Sequence, residues 1–196
     1  MALSTGSNKI KAAIFISGRG SILLSLIKFS KIKKSKIKIN LVISDNKFSK
    51  GLEFAKKNKI KYHVINYSKK KQAELKILGY LIKNKVDLIC LAGFMKILSS
   101  NFIKKFKYPI LNIHPSLLPK YKGLNTHRRA IENKDKFSGA TVHLVTPKLD
   151  SGKIILQKKI RILKSDTEKT LAKKVLKIEH RLYPAAIEKI LRKSSL

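Results

Sequence analysis

The segment LNIHPSLL, residues 111–118, decides the fold and points to the site. In an extended strand successive side chains face opposite sides, so Asn112 and His114 point the same way while their apolar neighbours point toward a core. Pro115 has no amide proton and would not continue a central strand. In open α/β sheets, ligands bind outside the carboxyl ends of strands. The segment therefore predicts a strand that carries an amide and an imidazole to a binding site.

On the N-terminal side of this segment, strand patterns alternate with helix patterns. Strands are predicted over residues 9–16, 37–44, 62–65, 88–91 and 109–114. Helices are predicted over residues 21–29, 51–57, about 70–84 and 101–106, and Ser99 or Ser100 would cap the last of them. This alternation is typical of a parallel α/β sheet.

On the C-terminal side, residues 115–126 predict a polar, turn-rich loop that could cover the site. Residues 139–145 and 153–163 alternate as strands around a turn near residues 147–152, which indicates antiparallel pairing. Residues 167 to about 192 predict a helix that Pro184 should kink or divide. The expected fold class is α/β, with a mixed, mostly parallel central sheet that becomes antiparallel in its C-terminal part.

The composition is that of a globular protein. A chain of 196 residues with 43% hydrophobic content can bury a core as a single domain without disulfides. Cys90 lies in the apolar run DLICLAGF, where a packing role is expected, and the five histidines have no metal-ligand spacing beside cysteines. The N-terminal apolar stretch is too short for a membrane span and poorly shaped as a secretion signal. We therefore expect a cytoplasmic protein without a metal site or a membrane partner.

The formal net charge of +34 first suggests a nucleic-acid surface. Six of the 45 basic residues are arginine, so 45 − 6 = 39 are lysine, spread along the whole chain. Arginine is the preferred residue for bidentate phosphate recognition, so this distribution favours solvation over specific nucleic-acid binding. A positive field would still steer anionic small-molecule substrates toward the protein. Whether the chain is a monomer or a homodimer stays open.

Three ordered blocks carry a resemblance. They are AGFMKIL at residues 92–98, LNIHPSLLPKYKGLNTHRRA at 111–130 and LDSGKIILQ at 149–157. With them the chain resembles the phosphoribosylglycinamide formyltransferase family from about Ile10 to Ile190. The resemblance implies a Rossmann-like three-layer fold in one catalytic domain over residues 1–196, with a nucleotide-substrate half at about 10–100 and a folate and catalytic half at about 101–190.

The resemblance also implies a reaction. A formyl group would pass from 10-formyltetrahydrofolate, a co-substrate, to the amine of N1-(5-phosphoribosyl)glycinamide, in purine synthesis. Attack on the formyl carbon makes an oxyanion that Asn112 could hold, and the departing folate nitrogen needs a proton that His114 could supply as general acid. Asp150 matches the family's catalytic aspartate, and its charge would favour the protonated His114 ring. Taken singly, Asn112 and His114 could satisfy backbone groups at a strand end and Asp150 could be a turn residue. Their occurrence together within the ordered blocks favours a catalytic role.

The expected nucleotide site lies between the first strand and the first helix. Gly20 and Ser21 stand where free amides at a helix N-terminus favour an anion, and the resemblance assigns the substrate phosphate there. The family commonly has asparagine at the next position, but this chain has Ile22, which leaves backbone amides and Arg19. Glu179 occupies a position that the family uses near the nucleotide. The alternative is that Glu179 is a solvent-exposed acid surrounded by lysines.

The expected folate site is the apolar stretch after the fourth strand, together with Asn112. Its members are Met95, Lys96, Ile97 and Leu98. Lys70 falls where an arginine of the family often contacts the folate, and a lysine keeps the charge but loses the planar fork. His143 shares a strand face with Thr141 and can approach the site, although a structural hydrogen bond is the expected role.

Other functions are related to this pattern. Methionyl-tRNA formyltransferase shares the catalytic domain but usually carries a further C-terminal domain, and formyltetrahydrofolate hydrolase normally carries an N-terminal regulatory domain. We expect neither, because no segment of the chain corresponds to those additions. A catalytically idle, lysine-rich nucleic-acid-binding domain is the alternative from a different class.

Overall fold

A computed structural model describes residues 9–193 of the chain. Its strands are β1 (Ile10–Ile16), β2 (Ile37–Ser44), β3 (Lys61–Val64), β4 (Leu88–Leu91), β5 (Ile110–His114), β6 (Phe137–Leu144) and β7 (Ile154–Arg161). Its helices are α1 (Ser21–Lys31), α2 (Gly51–Lys57), α3 (Lys70–Lys83), α4 (Ser100–Lys105), α5 (Thr126–Glu132) and α6 (Glu168–Lys193). These bounds lie within about two residues of the predicted ones wherever an element was predicted.

The strands form one seven-stranded sheet in the order β3-β2-β1-β4-β5-β6-β7. Strands β1 to β5 pair in parallel, whereas β6 runs antiparallel to β5 and β7 runs antiparallel to β6. The predicted α/β class, with its mixed and mostly parallel sheet, is confirmed. The parallel strands end at one edge of the sheet, which positions the loops that carry the site.

The core lies on both faces of the sheet. On β1, Ile14 and Ile16 pack into one apolar cluster with α1 and α6, and Phe15 packs into the opposite cluster with α3 and α4. A central parallel strand that is buried on both faces requires an apolar run, which is why this strand has no polar side of its own. The three-layer arrangement follows from that run.

One element was missed. Helix α5 (Thr126–Glu132) lies in a stretch for which the sequence predicted no element beyond a loop ending at residue 126. It has seven residues, and its N-cap, Asn125, sits in the left-handed region at φ 57 without a side-chain capping bond. A short helix without a cap leaves little local pattern to recognise, because packing rather than propensity stabilises it.

Helix α6 is anchored on the centre of the sheet. The buried Tyr183 hydroxyl lies 3.1 Å from the carbonyl oxygen of Leu91 and 3.0 Å from that of Leu111, so it joins α6 to β4 and β5. Cys90 is buried beside it, as predicted, and burial raises the pKa of its thiol to about 12. Although α6 spans 26 residues, no helix within residues 9–193 is long and apolar enough to cross a membrane.

Pro184 does not divide α6, which contradicts half of the sequence expectation. A proline inside a helix has no N–H, so the carbonyl four residues earlier loses its helical partner. That carbonyl belongs to His180, and the Ser25 hydroxyl of α1 donates to it at 2.8 Å. A tertiary hydrogen bond therefore replaces the missing helical one and lets the helix continue.

This replacement predicts a coupled pair of variants. Ser25→Ala should lower the free energy of unfolding by about 1 to 3 kcal/mol, because it leaves a partly buried carbonyl without a donor. Adding Pro184→Ala restores an N–H to that carbonyl and should recover most of the loss in urea denaturation. Ser30→Ala, on the same helix, is the control, since its hydroxyl only shares the Ile27 carbonyl of its own helix. Additive losses in the double variant would contradict the explanation.

Candidate active site

A cavity of about 960 Å³ opens at the carboxyl ends of β1, β4 and β5. The turn after β1, the segment after β4, the end of β5 and one face of α6 line it. Most of the predicted site residues share this lining: Gly20, Ser21, Ile22, Met95, Lys96, Ile97, Leu98, Asn112, His114, Asp150 and Glu179. Lys70 does not; it is exposed at the first position of α3.

His114 and Asp150 meet, although 35 residues separate them in the sequence. The ring Nδ1 lies 3.4 Å from Asp150 Oδ2, and both side chains are 7% exposed. The ring Nε2 lies 2.8 Å from the carbonyl oxygen of Tyr121, to which it must donate. Because both ring nitrogens face acceptor oxygens, a protonated ring with two N–H groups satisfies both contacts.

The Asp150 carboxylate is the centre of this group. Its Oδ2 accepts the Gly123 amide at 2.9 Å, and its Oδ1 lies 3.4 Å from Asn112 Nδ2 and 3.5 Å from His143 Nε2. Burial by itself would raise the pKa of Asp150, but the adjacent His143 ring, the hydrogen bond from the Gly123 amide and the nearby His114 ring lower it below its usual value. The carboxylate therefore stays ionised at the bottom of the cavity.

Asn112 is oriented by His143, its antiparallel partner on β6. His143 Nδ1 donates to the Leu144 carbonyl at 2.8 Å, and in that tautomer Nε2 is an acceptor. Asn112 Nδ2 donates to that nitrogen at 3.2 Å. His143 thus makes the expected structural hydrogen bond, and it also lines the cavity.

The turn after β1 and the first residues of α1 line the cavity. Gly20 caps the helix at φ 75 and provides no side-chain bond. A Cβ at Gly20 would approach Gly51 Cα to 2.4 Å, so this close contact of two turns requires glycine. Ile22 lines the cavity but packs into the apolar core, and its side chain offers no hydrogen bond to a ligand.

The segment after β4 is held from two sides. Ser17 Oγ accepts the Met95 amide at 2.8 Å, and the buried Glu74 carboxylate accepts both the amide and the hydroxyl of Ser99. Ser99 also caps α4 by accepting the Phe102 amide, as predicted for one of two serines. Met95 itself is 63% exposed, so an apolar side chain is available to a flat ligand.

Glu179 is buried, so the alternative of a solvated acid is wrong. Its side chain lines the cavity from α6 and is 9% exposed. Burial raises the pKa of its carboxyl to about 7. Near neutral pH this carboxyl can therefore either donate or accept a hydrogen bond.

Three basic side chains of the lining were missed. His127 lies on α5, burial lowers its pKa, and its buried Nδ1 has no hydrogen-bond partner among residues 9–193. Lys169 and Lys173 also line the cavity from α6, as Glu179 does. Their spacing of four places the two lysines on adjacent turns of one helix face, a pattern the sequence analysis did not use.

No cluster of three or more His, Cys, Asp or Glu side chains in the described range, residues 9–193, could hold a metal ion. The polar groups of the cavity are instead arranged as hydrogen-bond donors, acceptors and charges. Such a set can bind an anionic ligand and stabilise a developing oxyanion.

Comparison with known proteins agrees with this geometry. The chain matches the formyl transferase family over residues 10–187. It is 41% identical over 185 residues to the trifunctional purine biosynthetic protein adenosine-3 of Gallus gallus. The aligned region covers 93% of this chain but 18% of that protein. The chain thus spans less than a fifth of the length of this relative.

Shorter relatives align along most of their length. The phosphoribosylglycinamide formyltransferase of Haemophilus influenzae is 41% identical over 181 residues, 91% of this chain and 85% of that protein. The crystal structure of phosphoribosylglycinamide formyltransferase from Brucella melitensis superposes with a TM-score of 0.89 at 43% identity, covering 94% of this chain and 96% of that one.

The burial of Glu179 predicts a pH-dependent stability. Because its pKa rises from 4.5 to about 7 on folding, its contribution is full below about pH 4.5 and is lost as the pH rises through 7. Glu179→Gln should therefore stabilise the protein by about 3 kcal/mol more at pH 8 than at pH 4.5 in denaturant titrations. Glu188→Gln changes the same charge on the same helix, at a side chain that is 47% exposed, and should show no such difference. Equal effects of Glu179→Gln at the two pH values would contradict the prediction.

Proposed function

Because the chain is an enzyme of the formyl transferase family, we propose that it transfers the formyl group of 10-formyltetrahydrofolate to the amine of N1-(5-phosphoribosyl)glycinamide, a step of purine synthesis. The observation that carries the proposal is the convergence of Asn112, His114 and Asp150 at one cavity. That cavity, of about 960 Å³, is large enough to hold two ligands side by side.

Asn112 is the proposed donor to the oxyanion. Attack of the amine on the formyl carbon forms a C–N bond and moves an electron pair onto the formyl oxygen. The two N–H groups of Asn112 face His143 Nε2 at 3.2 Å and Asp150 Oδ1 at 3.4 Å, which are long contacts. An oxyanion at about 2.7 to 3.1 Å would compete well for one of them.

His114 is the proposed general acid. Collapse of the tetrahedral centre breaks the bond to the folate nitrogen, which must gain a proton, while the attacking nitrogen loses one. Of the two ring contacts, Nδ1 to Asp150 at 3.4 Å is the longer and Nε2 to Tyr121 at 2.8 Å is the shorter. The Nδ1 proton is therefore the one available for transfer. Asp150, whose Oδ2 lies 3.4 Å from this ring nitrogen, receives the proton from the attacking nitrogen through a water.

The two ligands would occupy opposite ends of the cavity. The phosphate of the nucleotide would bind the amides after Gly20, with Arg19 and Lys173 as the nearby positive charges. Glu179 would bond a polar group of the same ligand. The folate would lie on Met95 to Leu98, and Lys70, which is outside the lining, would reach only a part that extends beyond the cavity.

A second acceptor class is suggested by the net charge of +34, which would also attract the phosphates of a methionyl-tRNA. The position of the turn after β1 supports the small acceptor, because the turn that we propose to bind its phosphate lines the cavity. Cytoplasmic location and the monomer or homodimer state stay predictions.

The choice of acceptor can be measured directly. Purified protein with 10-formyltetrahydrofolate should formylate glycinamide ribonucleotide, and initiator methionyl-tRNA should react at a rate lower by at least about 1000-fold in kcat/KM. Duplex nucleic acid should bind weakly at physiological salt. Preference for the tRNA, or tight duplex binding without any formyl transfer, would refute the proposal.

The catalytic roles predict large losses in two variants. His114→Ala and Asp150→Asn should each lower kcat by about 100-fold or more, because the first removes the general acid and the second removes the proton acceptor, while the ligand ends of the cavity are unchanged. Suitable controls are His63→Ala, a ring stacked on Tyr80 at the surface, and Asp87→Asn, which accepts the Lys11 amide. Near-normal turnover in both variants would contradict the roles assigned to His114 and Asp150.

A further inference from the structure

Four consecutive residues of the loop after β5 each have one backbone polar group that is bonded to a side chain. The carbonyls of residues 120, 121 and 122 and the amide of residue 123 bond to Ser116, His114, Arg129 and Asp150, at 2.6, 2.8, 2.8 and 2.9 Å respectively. Loop backbone is more often hydrogen-bonded to water or left mobile. This segment, residues 120–123, is therefore a rigid part of the site, which we call the template segment.

Two of the four side chains are the proposed catalytic pair. The Tyr121 carbonyl accepts a hydrogen bond from His114 Nε2, and the Gly123 amide donates one to Asp150 Oδ2. The distance of 3.4 Å between His114 Nδ1 and Asp150 Oδ2 thus depends on two backbone groups that lie two residues apart. A change in the conformation of the template segment would change the position of both side chains.

The conformation of the template segment is unfavourable for its own sequence. Tyr121 sits in the left-handed region at φ 56, where a residue with a Cβ is crowded by its own backbone. Such a conformation persists only when surrounding contacts hold it. Besides the four backbone bonds, the side chain of Tyr121 makes such contacts.

The Tyr121 ring is clamped on three sides. Its hydroxyl donates to Asp135 Oδ2 at 2.8 Å, the Arg129 guanidinium lies 4.9 Å from the ring centre, and the ring packs on the main apolar cluster. Asp135 is itself paired with Lys120 at 2.7 Å. Partial burial would raise the pKa of the Asp135 carboxyl, but the bonds from Lys120 and Tyr121 lower it, so the acceptor stays charged.

The Tyr121 clamp acts from outside the cavity. Tyr121, Arg129 and Asp135 are absent from its lining, so within residues 9–193 they act on a ligand only through other groups. Resting on the proposed function, we infer that Tyr121, held by Asp135 and Arg129, is a positioning residue that sets the His114 and Asp150 geometry for formyl transfer. An ordinary loop anchor would affect stability instead and would leave the chemistry unchanged.

Tyr121→Phe tests the inference with a minimal change, since it removes the hydroxyl and keeps the ring. It should lower kcat by about 10- to 100-fold with both KM values within about twofold, because misplacement by a fraction of an ångström slows the chemistry rather than binding. Asp135→Asn keeps an acceptor for the hydroxyl and should lose less. Glu132→Gln, which breaks an exposed pair with Arg128 on α5, is the control and should leave kcat unchanged. A KM effect alone, or equal losses in the control, would overturn the inference.

A double-mutant cycle separates positioning from folding. In a His114→Ala background, Tyr121→Phe should cause no further loss of kcat beyond about twofold, because the ring that it positions is absent. Multiplying losses would mean that Tyr121 acts independently of His114, and the inference would fail.

A nuclear magnetic resonance measurement can test the position of the His114 ring independently of enzyme activity. In protein with ¹⁵N-labelled histidine, the Nε2 signal of His114 should move in Tyr121→Phe and stay in place in Glu132→Gln, because the hydrogen bond to the Tyr121 carbonyl is altered. An unmoved signal overturns the inference whatever the enzyme transfers. If the signal moves but the wild-type protein formylates no glycinamide ribonucleotide, the proposed function fails while the clamp stands.

Discussion

A buried carboxylate organises this site. Asp150 lies among the Gly123 amide at 2.9 Å, the His114 ring and the Asn112 amide at 3.4 Å, and His143 at 3.5 Å. A charge removed from water is strongly unfavourable unless donors and positive charge compensate it. To compensate the charge of Asp150, groups from β5, β6 and the loop after β5 must lie close to the turn before β7 that carries it. The shape of the cavity follows from how these elements meet there.

The sheet makes this meeting possible. Strands β1, β4 and β5 end in parallel at one edge, and β6 returns antiparallel beside β5, which sets His143 opposite Asn112. The turn before β7 then brings Asp150 back over the end of β5. Because ligands bind where parallel strands end, the same topology that completes the sheet also places the donors and the charge at the cavity.

Two buried carboxyl groups of the cavity have pKa values that are shifted in opposite directions. Asp150 has donors around it, and its pKa falls below the usual value, whereas burial raises the pKa of Glu179 to about 7. Environments that push two pKa values apart allow one fold to hold a charged and a neutral acid at the same pH. The net charge of +34 adds a field that attracts anionic ligands toward both.

The sequence by itself determined the order of strands and helices, the mixed sheet, the burial of Cys90 and the common orientation of Asn112 and His114. Those features depend on the local periodicity of apolar residues, on proline and on glycine, which neighbouring residues reveal. Motif resemblance also named Asp150 and Glu179, although spacing could not say what either contacts. The contact of Asp150 with His114, the burial of Glu179 and the omission of Lys70 from the lining depend on groups far apart in the chain. Helix α5, the Ser25 bond that lets α6 pass through Pro184, and the Tyr121 clamp were decided by tertiary structure as well. For the His114 contact, the Ser25 bond and the Tyr121 clamp, a polar group or an unfavourable backbone conformation is stabilised by a partner from another element, and local sequence carries no record of that partner.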